Sequence, residues 1–270
     1  MLEIIQIPLL SDNYSYIIID KNTNTTGCID PSVAKNVVNI LKKKGIGLDF
    51  ILNTHHHHDH VGGNKELKEI YNCKIIGCYN DQKRIPGIDI KLKNNENYNI
   101  GDSLFKVIDT PGHTIGHICF YFMDQNFLFC GDTIFSLGCG RLFEGSYEQM
   151  TESILKIRSL PDCTKIFCGH EYTESNAKFA EFLDSGDDLL KKKVSQIKRD
   201  RSMSKPTVPT LLKEEKMFNP FMKFDNPQYL DSIKIKNISD VENFKKIRIM
   251  KDNFYSIHNP PFIEKVEPFT

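Results

Sequence analysis

Thr54-His55-His56-His57-His58-Asp59-His60 is the stretch from which the rest of the chain can be interpreted. The apolar run Phe50-Ile51-Leu52 precedes it, and Gly62-Gly63-Asn64 follows it. This order predicts a loop that leaves a buried strand and enters a helix. Loops of that kind are a usual place for a functional site in an α/β protein.

Imidazole and carboxylate side chains alternate within this stretch. His55, His57 and Asp59 share one parity, and His60 follows directly. Imidazole nitrogen and carboxylate oxygen are the usual ligands of zinc and related divalent ions. A histidine-rich tract can also be a surface run or a tag-like scar. Because this one lies between a predicted strand and a Gly-Gly turn, it indicates a metal site.

Three further predicted strands each end on a potential metal ligand: His113 after residues 104–109, Asp132 after 127–130, and His170 after 164–168. A single histidine after a glycine is usually only a turn residue. Four strand ends in succession are a stronger signal, because strand ends at one edge of a sheet converge in space. The sequence therefore predicts one metal centre built from four loops.

Composition restricts the class of protein. The chain has 270 residues and 40% hydrophobic residues, which is typical of a globular protein with a buried core. Its 35 basic and 35 acidic residues balance, which argues against a nucleic-acid partner or an acidic membrane surface. No apolar run approaches the roughly 18 residues that cross a bilayer, and the first residues lack the features of a targeting segment.

The eight cysteines are scattered and form no Cys-x-x-Cys pair. Several lie within apolar, strand-like runs, so we expect reduced core residues of a cytoplasmic protein, with a disulfide framework as the alternative.

The order of predicted elements divides the chain in two. Residues 3–10 and 14–20 are typical of a hairpin, Ser32 could cap a helix that ends near Lys44, and residues 80–99 are typical of a surface loop. From about residue 174 the strand pattern stops. Helical periodicity then appears in three segments: 174–184, 187–201 and 238–256. We expect an α/β domain in residues 1–173 and a smaller α-helical domain in residues 174–270.

The motifs resemble the metallo-β-lactamase superfamily and, more closely, its glyoxalase II family of hydroxyacylglutathione hydrolases. The resemblance implies an αββα sandwich followed by a smaller C-terminal helical domain. The similar blocks extend over almost the whole chain: Asp12-Asn13-Tyr14, residues 54–64, 110–114 with 116–117, 131–135, 138–141 with 143–145, 169–173, and Lys251-Asp252-Asn253-Phe254.

The resemblance also implies two divalent ions, zinc first, with iron or manganese as options. The ligands it implies are His55, His57 and His113 for one ion, Asp59, His60 and His170 for the other, and Asp132 as the bridge. His56 and His58 are expected to point away, and His117 could support the ligands from behind. The family often has an aromatic residue in place of His58. Asp30 could orient a ligand histidine or simply cap a strand-to-helix turn; both interpretations stay open.

For the substrate, the resemblance points to cationic residues that meet the carboxylates of glutathione: Arg141, Arg248 and Lys251. Without it, the segment around Arg248 would be interpreted as a solvated basic helix. Tyr172 corresponds to a tyrosine that contacts glutathione in the family. Phe143 stands where a second such tyrosine is common, so the ring is kept and its hydroxyl is lost.

The activity implied is hydrolysis of S-(2-hydroxyacyl)glutathione, typically S-D-lactoylglutathione, to glutathione and D-lactate, the second step of methylglyoxal detoxification. A metal-bridging hydroxide is the expected nucleophile, with Asp59 and Asp132 as the catalytic carboxylates that hold the metals. We expect a monomer. The alternatives are a one-iron glutathione persulfide dioxygenase of the same superfamily, a nucleic-acid-processing metallohydrolase, and a non-enzymatic binding module.

Overall fold

The computed structural model describes residues 1–258, with side chains up to Phe254. Residues 259–270 of the expected second domain lie outside the described residues, and so does the side chain of His258. Within the described part, none of the helices combines the length and the apolar character that crossing a membrane requires.

The first sheet has six strands in chain order. They are β1 (Leu2–Leu9), β2 (Asn13–Asp20), β3 (Thr26–Ile29), β4 (Phe50–Leu52), β5 (Lys74–Cys78) and β6 (Ile90–Leu92). Strands β1 to β3 are antiparallel, which confirms the expected hairpin, and β3 to β6 are parallel. Parallel pairing explains why β4 is apolar throughout, since such strands are covered on both faces.

The remaining strands are β7 (Asn97–Ile100), β8 (Ser103–Asp109), β9 (Ile118–Phe122), β10 (Phe127–Gly131), β11 (Ile134–Phe135), β12 (Gly138–Cys139), β13 (Lys165–Cys168) and β14 (Thr210–Leu211). Strands β11 and β12 form a small hairpin, and the others form the second sheet in the order β14-β13-β10-β9-β8-β7. Strands β10 and β13 are parallel, so both end at the same edge.

Nine α-helices accompany the sheets in the described residues. They are α1 (Ala34–Lys44), α2 (His58–Val61), α3 (Asn64–Tyr71), α4 (Tyr147–Arg158), α5 (Thr173–Leu183), α6 (Asp188–Ser202), α7 (Leu212–Phe218), α8 (Pro227–Ser232) and α9 (Asp240–His258). Helices α5 and α6 pack together through a separate apolar cluster that includes Ala177 and Val194.

The alternation of β2 shows how the layers assemble. Tyr16 and Ile18 belong to the core between the two sheets, where the Tyr16 ring lies 5.4 Å from that of Phe129. Ile17 and Ile19 point to the opposite face and join the cluster beneath α1 and α3. Because successive strand side chains face opposite sides, one fully buried strand serves both layers. The architecture is the expected αββα sandwich with helices added at its C-terminal end.

Three local predictions were wrong: the helix cap at Ser32, the surface loop in residues 80–99, and the end of the strand pattern near residue 174. Ser32 does not cap α1; its hydroxyl donates instead to the carbonyl oxygen of Asp59, and Val33 holds the cap position without a side-chain bond. The segment 80–99 is not only loop, since it contains β6 and the start of β7. Short strands among Asn, Asp and Lys give little periodic signal, because their side chains are largely exposed.

The strand pattern also does not stop at residue 174. Strand β14 pairs with β13, the strand that leads to His170. A two-residue strand is too short to be recognised from alternation. The helical part of the chain is therefore joined by backbone hydrogen bonds to the sheet that carries the site.

Seven of the eight cysteines are buried, as expected of core residues, but Cys163 is exposed.

Candidate metal centre

The four predicted loops meet at one edge of the sandwich, where backbone hydrogen bonds join them. The N–H of Gly169 donates to Gly131 at 2.9 Å, and that of Ile118 donates to Thr54 at 2.9 Å. The N–H of Tyr14 donates to Gly169 at 2.7 Å and so connects the first sheet to the second. These hydrogen bonds hold the loops after β4, β8, β10 and β13 together.

Three imidazoles form the first ligand group. His57 Nδ1 lies 3.0 Å from His55 Nε2 and 3.0 Å from His113 Nε2. Nitrogen ligands of one tetrahedral zinc ion lie about 3.3 Å apart, given bonds of about 2.0–2.1 Å. The spacing therefore suits a single ion between the three rings.

Two imidazoles and a carboxylate form the second group. His60 Nε2 and His170 Nε2 lie 3.4 Å apart, and Asp59 Oδ2 lies 3.6 Å from the first and 3.4 Å from the second. This set is a second compact arrangement of nitrogen and oxygen donors of the kind that divalent ions take.

Asp132 lies between the two groups. Its Oδ1 is 3.4 Å from His60 Nε2, and its Oδ2 is 3.5 Å from His113 Nε2 and 3.3 Å from His170 Nε2. Within the described residues Oδ1 is buried without a hydrogen-bond partner. A buried carboxylate oxygen without a partner is costly, and a cation at this position would satisfy it. The residues present therefore fit two divalent ions that share Asp132.

The carboxyl group of Asp30 supports the second group from behind. It accepts hydrogen bonds from the Thr54 N–H at 2.8 Å and the Thr54 hydroxyl at 2.6 Å, and it lies 3.0 Å from His60 Nδ1. This contact turns His60 Nε2 toward Asp132, as expected of a residue that orients a ligand histidine. Asp30 also has a positive φ of 48°, so it is both a turn residue and a support for the site.

Three other contacts hold ligands in place, and sequence analysis assigned them no role. Asp12 Oδ1 lies 2.8 Å from His170 Nδ1. The Asn13 amide donates to Asp59 Oδ2 at 3.0 Å. His113 Nδ1 lies 2.8 Å from the carbonyl oxygen of Arg141. Asp12 and Asn13 lie in one of the similar blocks, and that was the only signal that could have found them.

His117 is a buried neighbour of the ligands. Its ring stacks on His55 at 4.9 Å, and its Nε2 accepts the N–H of Asp132 at 3.1 Å. Burial holds the pKa of His117 well below its usual range, so the ring is neutral and Nε2 can accept. His117 therefore fixes the backbone of Asp132. His56 Nδ1 faces Asp81 Oδ2 at 3.1 Å, and His58 begins α2.

The charges of the two groups differ. Burial first and the neighbouring His113 second lower the pKa of His57 to about 4, so the ring is neutral at pH 7 with a lone pair for an ion. Burial would raise the pKa of Asp59, but the hydrogen bond from His170 and the charge of His60 hold it well below its usual range. His57 and Asp59 are thus in the protonation states in which these side chains bind metals. Burial opposes a charge on His60 and His170, but Asp132 raises the pKa of both rings, so each would release a proton when it binds an ion.

A cavity of about 560 Å³ opens over the ligands, within the usual size of a small-molecule site. All five residues proposed for the substrate line it, together with ligands of both groups: Arg141, Phe143, Tyr172, Arg248 and Lys251, with His57, Asp59, His113, Asp132 and His170. Phe135, Cys139 and Asn176 also line the cavity and were not predicted.

The cationic end of the cavity comes from α9. Arg248 and Lys251 are 4% and 5% exposed, which argues against a solvated basic helix. Arg248 donates to the carbonyl oxygen of Cys139 at 3.0 Å and to Asp252 Oδ1 at 2.8 Å, while Lys251 donates to the carbonyl oxygen of Ser175 at 3.1 Å. Burial first and Arg248 second lower the pKa of Lys251 to about 7.

Aromatic rings also line the cavity, over the ligand groups. Tyr172 stacks on His170 with centroids 4.7 Å apart and planes within 6°. Phe143 meets His57 and His113 edge-on, with centroids 5.7 Å and 5.2 Å away. The cavity thus combines aromatic walls beside the candidate metal ligands with buried cations from α9.

An αββα sandwich with two His/Asp ligand groups at one sheet edge defines a metalloprotein of the metallo-β-lactamase class. Accordingly, the Metallo-beta-lactamase superfamily model matches residues 15–170, and the model described as Hydroxyacylglutathione hydrolase C-terminus matches residues 171–254. The crystal structure of ETHE1 from Myxococcus xanthus has the same fold, with a TM-score of 0.64 at 22% identity over 92% of this chain and 96% of that one.

Similarity to curated proteins identifies the family within this class. The chain is 46% identical over 254 residues to "Hydroxyacylglutathione hydrolase" of Methylococcus capsulatus, covering 94% of this chain and 99% of that protein. It is 47% identical over 253 residues to the protein of the same description from Pelagibacter ubique, covering 94% and 100%. The chain belongs to the hydroxyacylglutathione hydrolase family.

Proposed function

We propose that this chain hydrolyses S-(2-hydroxyacyl)glutathione thioesters, typically S-D-lactoylglutathione, to glutathione and D-lactate, the second step of methylglyoxal detoxification. The observation that carries the proposal is one cavity that joins two metal-ligand groups to the buried cations Arg248 and Lys251. The curated relatives, described as hydroxyacylglutathione hydrolases, support it.

We propose two zinc ions as the cofactor. His55, His57 and His113 would hold one, Asp59, His60 and His170 the other, and Asp132 both. When bound, two such ions supply a hydroxide nucleophile at neutral pH and positive charge for the developing oxyanion. Metal analysis of the purified protein distinguishes zinc from iron and manganese.

The chain's own residues position the two ends of the substrate. Arg248 and Lys251, with Arg141 near Asp252, would bind the carboxylates of the glutathione part. Tyr172 and Phe143 would hold the thioester between rings that already pack on ligand histidines. Asp59 and Asp132 would hold the ions as anionic carboxylates. In this proposal the reacting carbonyl would lie at the metals and the charged groups of glutathione at α9.

The two proposed roles, catalysis and substrate binding, belong to successive parts of the chain. We propose residues 1–173 as the catalytic domain and the part from residue 174 onward as the substrate-binding domain. Both strongly buried cations lie on α9, whereas all seven metal ligands precede residue 174. We also propose a monomer, because one chain carries both candidate metal-ligand groups together with the cations Arg248 and Lys251, and a cytoplasmic location, because cysteines kept free are typical of reducing compartments. Light scattering after size-exclusion chromatography tests the monomer.

The substrate assignment is tested by substituting both Arg248 and Lys251. In Arg248→Ala/Lys251→Ala we expect KM for a glutathione thioester to rise at least about tenfold, because at least 1.4 kcal/mol of charge-assisted binding is lost. The control is Lys245→Ala on the same helix, where the side chain is 41% exposed. An unchanged KM in the double variant would contradict the substrate assignment, and oxygen consumption with glutathione persulfide would favour the dioxygenase.

A further inference from the structure

A network of charged side chains lies beside the first ligand group without belonging to it. Asp81 ends a 3₁₀ turn after β5, and its side chain is fully buried. Its Oδ1 accepts from Arg84 Nε at 2.9 Å, and its Oδ2 lies 3.1 Å from His56 Nδ1. Asp81 is thus paired on both oxygens, one of them with the residue between ligands His55 and His57.

Arg84 extends the network to a third loop. Its guanidinium binds Glu144, with Nη2 3.1 Å from Oε2. The same Oε2 accepts the N–H of Ile115 at 2.9 Å, and Glu144 Oε1 lies 3.5 Å from His56 Nε2. Ile115 comes two residues after the ligand His113.

Gly116 shows how closely these loops pack. A Cβ atom there would lie 2.2 Å from Asp81 Cγ and 2.4 Å from its Oδ1. Asp81 therefore occupies the space that a side chain at position 116 would need, and the loop after β8 packs directly against it. The network is confined as well as hydrogen-bonded.

The sequence positions of the contacted residues suggest what the network does. His56 lies between two ligands of the first group, and Ile115 follows the third. Glu144 directly follows Phe143, whose ring packs on His57 and His113. The second group has different partners, Asp12, Asn13 and Asp30. The network therefore contacts all three loops that build the first group and its aromatic cover.

We infer that Asp81, Arg84 and Glu144 form a positioning clamp that sets the affinity of the first ligand group for its ion and the position of Phe143 over it. The inference rests on the proposed function for the role of Phe143 with substrate. Residues of this kind act through the ligands they orient, and their loss typically weakens metal binding about 10–100-fold. The Arg84 hydrogen bond, against a smaller effect of burial, lowers the pKa of Glu144 to about 2, so the clamp stays charged at neutral pH.

The test measures zinc affinity by chelator competition, which needs no substrate. Arg84→Met should weaken one of the two zinc equivalents at least about tenfold and leave the other unchanged. Glu144→Gln keeps the Asp81–Arg84 pair and should show a smaller loss at the same equivalent. Asp12→Ala should weaken the other equivalent, so Arg84→Met/Asp12→Ala should be weakened at both. The loosened Phe143 should also raise KM.

The control is Arg158→Met, which breaks a comparable two-pronged pair with Asp225 far from the ligands. It should lower stability and leave both zinc affinities unchanged. Wild-type zinc affinities in both Arg84→Met and Glu144→Gln would overturn the clamp, and so would an equal loss in Arg158→Met. Absence of thioester hydrolysis by the wild type would instead overturn the proposed function, while the chelator measurement still decides the clamp.

Discussion

His170 Nδ1 lies 2.8 Å from Asp12 Oδ1, although 158 positions separate the two residues. Asp12 belongs to the turn between β1 and β2 in the first sheet, and His170 follows β13 in the second. The hydrogen bond therefore joins the two sheets at the ligand group and leaves Nε2 of His170 toward the metal position. Burial opposes a charge on the ring, but Asp132 and Asp12 hold the pKa of His170 well above its usual range.

Removing the Asp12 carboxylate should weaken the binding of one of the two proposed ions. We expect Asp12→Ala to lower kcat for thioester hydrolysis about 10–100-fold at limiting zinc, because His170 loses its orientation. Excess zinc should restore part of the activity, and steady-state assays across zinc concentrations measure it. Asp12→Asn keeps an oxygen acceptor, so its kcat at limiting zinc should lie between the values of wild type and Asp12→Ala. Equal zinc dependence in wild type and Asp12→Ala would contradict a role in metal binding.

Lys251 should make substrate binding depend on pH. Its pKa, lowered to about 7 by burial and by Arg248, means that the side chain is charged below pH 7 and neutral above it. As the pH rises, Lys251 loses its positive charge and attracts an anionic substrate less strongly. KM should therefore increase between pH 6 and pH 9, and kcat is measured separately at each pH. Lys251→Arg stays charged throughout and should flatten the rise, since arginine keeps its proton. Parallel KM profiles for the two proteins would contradict the prediction.

The convergence of the candidate metal-binding residues could be predicted because their signal is local. Each follows an apolar run that is typical of a buried strand, and strand ends at one sheet edge converge. A candidate metal ligand at such a strand end can then be recognised by its residue type alone, as for His57 or Asp132. The alternation that separates His55 and His57 from His56 is likewise a property of a short stretch.

The supports of the site could not be predicted in this way. Asp12, Asn13 and Glu144 act on residues far along the chain, and nothing in their own neighbourhood marks them as partners. The error at Ser32 has the same origin, because its hydroxyl is used by Asp59 rather than by its own helix. Strand β14 was missed because two residues carry no periodicity. What depends on tertiary contacts had to come from the structure.

Glu215 connects the helical part to the β11–β12 hairpin, whose strands carry the cavity residues Phe135 and Cys139. It is 1% exposed and accepts from Leu137 N–H at 2.8 Å, Thr210 hydroxyl at 2.8 Å and Asn219 amide at 2.9 Å. Glu215→Gln would turn an amide N–H₂ toward one of these donors, so the free energy of unfolding should fall by about 1–3 kcal/mol. Urea denaturation measures the change.

The neighbouring Glu214 provides the matched control for this measurement. It pairs with Lys193 at 2.8 Å, and its side chain is 40% exposed. Glu214→Gln should therefore change the free energy of unfolding by less than about 1 kcal/mol. Equal effects of the two substitutions would mean that the Glu215 contacts do not stabilise the fold.

Phe143 offers the most direct test of how the chain departs from its family. The ring is 63% exposed and packs edge-on against His57 and His113, so Phe143→Tyr adds a hydroxyl without burying an unpaired polar group. One hydrogen bond to glutathione is worth on the order of 1 kcal/mol, and KM should therefore fall about fivefold at unchanged kcat. Phe143→Leu removes the ring and should raise KM. If Phe143→Tyr and wild type have the same KM for a glutathione thioester while Phe143→Leu is impaired, the ring contributes packing alone, and a hydroxyl at this position does not contact the substrate.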